Sequence, residues 1–147
     1  MSYHIPSRKA EQSFKAWMGT ITGLAVRTRF SGAEKSLPEL VITCDSCDPI
    51  IRLENNLVGE WACDLKFTIR TRYIKGDPVE GEGHDVFVGA VLDMLQSTDV
   101  VSGINQYSEL LDSTAILWRP GGIKERVNDK DLETELSGML WIVPSAT

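Results

Sequence analysis

The chain has no run of the roughly 18 apolar residues that a membrane-spanning helix needs, and residues 1–8 lack the apolar core of a secretory signal. The expectation is a protein made and used in the cytoplasm, or assembled into something there. Positive charge is also scarce. Fifteen Lys and Arg stand against 21 Asp and Glu, for a net charge of −6. That disfavours a protein whose main task is to grip phosphates through clustered cations. Three cysteines and two histidines leave little for metal or redox chemistry, and an odd number of cysteines without an export signal points to reduced thiols. No internal repeat or low-complexity tract is present, and no G-x-x-x-x-G-K-[ST] phosphate loop. The glycines of Gly76-Asp77-Pro78 and Gly81-Glu82-Gly83 sit among carboxylates that would repel phosphate.

What is present is ordinary globular material. The 147 residues are 42% hydrophobic and 24% charged, enough for one domain, 1–147, with its own core. The clearest local signal is period-two alternation over 61–73. Trp61, Cys63, Leu65, Phe67, Ile69, Thr71 and Tyr73 fall on one face. Ala62, Asp64, Lys66, Thr68, Arg70 and Arg72 fall on the other. This predicts a half-buried antiparallel strand, about twice the usual five or six residues. Such a strand suits a protein that builds sheets with neighbouring copies.

Other elements follow from spacing. Ser7 reads as an N-cap ahead of an amphipathic helix carrying Ala10, Phe14, Trp17 and Ile21. Residues 23–30 read as a short strand or a loop. Pro38 introduces a buried strand at Leu40-Val41-Ile42-Thr43. Residues 44–49 read as a turn, and 50–53 as a short strand. A second helix is expected over 84–96, opened by His84-Asp85, with a stripe of Val88, Val91, Leu92 and Leu95. A short strand is expected at 99–104. A C-terminal β-hairpin is expected from 113–118 and 132–143, with 119–131 as its charged connection. The fold class expected is α+β: a mostly antiparallel sheet with two helices packed on it, in the order α-β-β-α-β-β, with an extended C-terminal hairpin.

Candidate chemistry is thin. Cys44-Asp45-Ser46-Cys47 has the spacing of a zinc half-site, but only Cys63, His4 and His84 remain as partners, and none is paired at ligand spacing. A Cys3His site with Cys63 and His84 is weighed against a plain turn, and the turn is favoured. A redox C-x-x-C wants a helix start after its first cysteine, and Pro49-Ile50-Ile51 argue against one. Cys63 reads as a small core hydrophobe. His84-Asp85 is read as a charge-favoured helix start rather than a catalytic pair, since adjacent helical residues do not face each other. Glu133 and Glu135 share a strand face. Arg70 and Arg72 are expected to be solvated, or to pair with those glutamates across the sheet or a subunit boundary. Trp118 and Trp141 fall at expected strand ends, where amphipathic rings serve interfaces, although core placement is the more frequent outcome.

Several features together suggest a family. They are the helix with Phe14 and Trp17, the strand Pro38-x-Leu40-Val41-Ile42 and the Trp61-led alternating strand. An acidic Gly-rich loop, a helix with His84-Asp85 and Val91-Leu92, and the close Glu133-Thr134-Glu135-Leu136 through Trp141-Ile142-Val143-Pro144 complete the pattern. Over about residues 9–144 this resembles the tail terminator, or tail completion, proteins of long-tailed bacteriophages. The resemblance rests on element order, length and local flavour. It implies a ring, usually of six copies, at the head-proximal end of the tail tube. The ring stops tube growth, meets a neck or head-completion protein, and meets a sheath where the tail is contractile. DNA passes through its lumen without specific binding. The implied localisation is the virion, with no enzyme activity, cofactor or metal. Candidate subunit contacts are Arg70, Arg72, Asp77, Glu80, Glu82, Asp85, Trp118 and Trp141. The alternatives are another neck or head-completion protein, a small metal or redox protein built on the cysteines, and an enzyme centred on His84 and Asp85.

Overall fold

The computed structural model describes residues 5–28, 38–51, 58–72, 78–106, 113–127 and 131–144. Their elements are α1 (Pro6–Met18), β1 (Ala25–Thr28), β2 (Glu39–Ile51), β3 (Val58–Arg72), α2 (Pro78–Gln96), α3 (Val100–Asn105), β4 (Ser113–Val127) and β5 (Asp131–Pro144). The class is mixed α+β. The five strands form one sheet in the order β1-β2-β3-β5-β4, with β1 parallel to β2 and every other pair antiparallel. No helix among the described residues is long and apolar enough to cross a membrane.

The sheet is organised around β3, and its alternation follows the sequence pattern. Cys63, Leu65, Phe67, Ile69 and Thr71 are buried on the face that the helices cover, while Asp64, Lys66, Thr68 and Arg70 lie half-exposed on the other. Above the covered face, α1 starts at Pro6, whose fixed φ suits a first helical position. Ile5 is its N-cap, so Ser7, expected as the cap, lies in the first turn. Helical spacing places Ala10, Phe14 and Met18 in one buried row.

The core centres on Phe14. Its ring lies 5.0 Å from Phe67 in an edge-on arrangement and 5.3 Å from Trp118. Such pairs contribute about 0.5–1.5 kcal/mol beyond their buried area. Trp118 therefore packs into the core midway along β4 rather than serving a strand end. Its indole N–H donates to the Leu95 carbonyl at 2.8 Å, which ties α2 to the sheet. The ring lies over Gly138 of β5, where a Cβ would collide with it.

Four further expectations are corrected. Residues 44–49 are strand, not turn, and β2 continues to Ile51 across a register shift between Cys44 and Ser46. Residues 99–104 are mostly helical, within α3. There Asn105 uses its side-chain amide as a substitute strand: Nδ2–H donates to the Ala115 carbonyl at 2.9 Å, and the Ala115 N–H donates to Oδ1 at 2.7 Å. Residues 119–127 are strand, not connection, and β4 crosses Pro120-Gly121-Gly122 with a register shift before Ile123. A Cβ at Gly121 would meet the Ser137 hydroxyl, so glycine permits the close approach there. Lastly, α2 begins at Pro78, which puts His84 inside the helix rather than at its start. Tyr73, Asp77, Asp129 and Lys130 lie outside the described residues.

Replacing Gly138 by Ala should displace Trp118 and destabilise the fold by about 1–3 kcal/mol, as overpacked cores do. Urea unfolding followed by tryptophan fluorescence checks this. An unchanged midpoint would show that the ring is not held against Gly138.

Candidate functional site

The outward sheet face carries a row of charges that crosses all five strands. Strand register sets Glu39 of β2, Arg70 of β3, Glu133 of β5 and Arg126 of β4 side by side. Arg27 of β1 joins diagonally. Arg27 Nε–H donates to Glu39 Oε2 at 2.8 Å, and this bond raises the pKa of the Arg27 guanidinium. Arg70 Nη1 lies 3.7 Å from Glu39 Oε1, and Arg70 Nε–H donates to Glu133 Oε1 at 2.8 Å. Arg126 Nη1 lies 3.9 Å from Glu133 Oε2. Glu39 is fully buried beneath the two guanidinia, whereas the Arg126 side chain at the far end is 68% exposed. Arg70 thus pairs across its own sheet.

The other sequence-predicted residues scatter. Arg72 is exposed at the end of β3, in register with Asp131. Asp85 is exposed on α2, the helix that also contains Glu80 and Glu82. Trp141 is half-buried on the outward face, in register with Ala62 on one side and Leu117 on the other. Glu135 lies on the same face, in register with Thr68 and Lys124.

His84 is a buried bridge. Its Nδ1 lies 2.8 Å from the Thr71 hydroxyl of β3, and its Nε2 lies 2.7 Å from the Thr134 hydroxyl of β5. Both ring nitrogens are engaged by the sheet, which is how a satisfied core histidine looks. Burial holds its pKa below the ordinary histidine value, against the opposing pull of Asp85 and Glu125.

The three cysteines, weighed from the sequence as part of a metal site and set aside in favour of a plain turn, come together as a cluster of thiols. Cys47 Sγ lies 3.5 Å from Cys44 Sγ and 3.1 Å from Cys63 Sγ, and all three sulfurs lie within 4.8 Å of one another. Residues three apart on a regular strand point to opposite faces. The bulge at Asp45 adds one residue to β2 and turns both Cys44 and Cys47 to the covered face, where Cys47 pairs directly with Cys63. None of the three forms a disulfide. Hydrogen bonds shared with Cys44 and Cys63 pull the half-buried Cys47 thiol down to about 4. Its bond to Cys47 is the main cause that pushes Cys44 up to about 12, and bonds within the cluster, led by that to Cys44, push Cys63 up as well. Glu11, a fully buried carboxylate of α1, acts on Cys47 through its charge. His84 is not part of this group. Its partner Thr71 is eight residues from Cys63 on β3, about 26 Å at 3.3 Å per residue.

The fourth feature is an open strand. β4 is an edge of the sheet, and every residue from 119 to 127 is exposed. Ile116, Leu117, Ile123 and Val127 are about half exposed or more. The Asn105 amide covers the backbone of Ala115. The sequence matches no protein-family model and no curated protein.

The lowered pKa of His84 makes a pH prediction. In the unfolded chain His84 takes up a proton near its ordinary value of about 6.5, while in the fold it does so only at lower pH. Its contribution is therefore complete above that unfolded value and is lost as pH falls toward the folded one. Urea unfolding of the parent and of His84→Gln at stepped pH checks this. The stability difference between the two should shrink on acidification below that value, and a difference independent of pH would contradict it.

Proposed function

We propose that this chain is a structural virion subunit of the tail-terminator kind, one that closes into a ring with copies of itself at the head-proximal end of a tail tube. The observation that carries the reading is the open β4 edge. Beyond Ala115, the strand has no sheet partner on its outer side among the described residues and carries the exposed apolar side chains of Ile116, Leu117, Ile123 and Val127, a combination that invites pairing with another chain. A ring needs a heterologous contact between two different surfaces. The opposite edge of the sheet, β1, is the second surface available, and the exposed Arg72 and Asp85 are charged residues open to a neighbour.

The same features weigh against an enzyme centred on His84, because both of its ring nitrogens are committed to threonines of the sheet. An acidic subunit suits a lumen through which DNA passes without being held. In this reading the partners are the tail tube protein on one side and a neck or head-completion protein on the other, and the protein resides in the virion. A neck or head-completion role uses the same edge, and differs in what the ring sits on.

Native mass spectra of the purified chain over a concentration series test this. The expected result is a closed oligomer, with six copies dominant. Ile123→Lys should reduce it to monomer with unchanged circular dichroism, since a buried charge in an edge contact opposes pairing. A parent chain that stays monomeric throughout the series, or an oligomer indifferent to Ile123→Lys, would overturn the reading.

A further inference from the structure

We propose that Cys44, Cys47 and Cys63 form a three-thiolate binding site for a thiophilic d10 cation, with zinc the intended ion. The site is independent of the β4 edge and of any ring.

The argument begins with placement. Two neighbouring strands bring three sulfurs to one point on the covered face, and they do so only because β2 is bulged. A bulge costs ladder bonding, and such features re-aim particular side chains. Without it, Cys44 and Cys47 would lie on opposite faces of the sheet.

Distances come next. Zinc–sulfur bonds of about 2.3 Å in a tetrahedron set neighbouring sulfurs about 3.8 Å apart. The observed separations of 3.1 and 3.5 Å fall short of this by less than 1 Å. Small side-chain rotations therefore open the cluster around an ion without moving either strand. Soft thiolates select soft cations over magnesium or calcium.

Access and charge fit as well. Cys44 and Cys63 are buried while Cys47 is half-buried, so the cluster has a closed side and a side reachable from solvent. Three thiolates and a divalent cation carry one net negative charge, and the thiol protons pass to solvent on binding. The fourth position is left to water or to an oxygen donor. Asp48 of β2 and the buried Glu11 of α1 are carboxylates whose charges reach Cys47. The consequence is a clip between β2 and β3 beside the α1 contact.

The test uses the full-length chain, purified under reducing conditions and stripped of metal. Cobalt(II) is titrated first, then zinc in competition with a chromophoric chelator. The expected result is one ion per chain, with an intense sulfur-to-cobalt charge-transfer band that zinc abolishes. A hundredfold excess of zinc over its dissociation constant should raise Tm by at least about 5 °C. Cys63→Ser and Cys47→Ser should each weaken zinc binding by more than about 100-fold, the upper range for loss of a mere outer-shell partner. His84→Gln should leave it unchanged. Should either cysteine variant fail to fold, the cobalt band of the parent decides alone, because its presence requires thiolate ligands. Absence of that band, or affinity retained in a folded Cys63→Ser, would overturn the proposal.

Discussion

β3 must satisfy two incompatible surroundings at once, and the rest of the molecule is arranged around that constraint. It is the central strand, paired along nearly its whole length with β2 on one side and β5 on the other. One face supplies Leu65, Phe67 and Ile69 to an apolar core closed by Phe14 and Trp118. The other supplies Arg70 to a row of ion pairs. A one-residue slip would put Arg70 against Phe14 and Phe67 against water. Register is therefore specified from both faces, and the strands that flank β3 inherit it.

The ion row reinforces that specification. Glu39 has no solvent exposure, and its charge is balanced by Arg27 and Arg70 from the strands on either side. A buried pair of this kind adds little net stability compared with an apolar replacement, but removing one partner costs about 3–5 kcal/mol. The row thus penalises wrong registers more than it stabilises the right one. Arg126, at the exposed end of the row, contributes on the scale of a surface pair, about 0–1 kcal/mol. The buried His84 repeats the logic on the opposite face, where its two threonine partners fix α2 against β3 and β5.

Much of this was legible in the residues. The long strand, Ala10 and Phe14 of the α1 stripe and the body of α2 follow from periodicity, because burial of one face leaves a two-residue or a 3.6-residue pattern. Met18 completes the α1 row where Ile21 was expected, and Ile21 lies past the helix end. What was not legible were the places where backbone irregularity overrides local chemistry. Asp45 and Ser46 look like turn residues, yet they form a bulge within β2. Pro120-Gly121-Gly122 looks like a loop, yet an edge strand tolerates proline, and Gly121 admits Ser137. The apolar pair Val100-Val101 has strand propensity but lies in α3, whose Asn105 is positioned to hold Ala115. The thiol cluster was weighed in the sequence and set aside because residues 44–49 read as a turn; the bulge that brings Cys44 and Cys47 to one face of β2 beside Cys63 has no signature in the residues themselves. The pairing of Arg70 with Glu133 was one of the alternatives open in the sequence, and only strand order decides it.

The functional account turns on whether β4 is where copies meet. Hydrogen–deuterium exchange of the chain, measured below and above its association concentration, tests that most directly. The account predicts that backbone amides between Ile116 and Val127 gain protection on assembly, while those of β3, already paired on both sides, do not change. Exchange of β4 that does not change with concentration would contradict it.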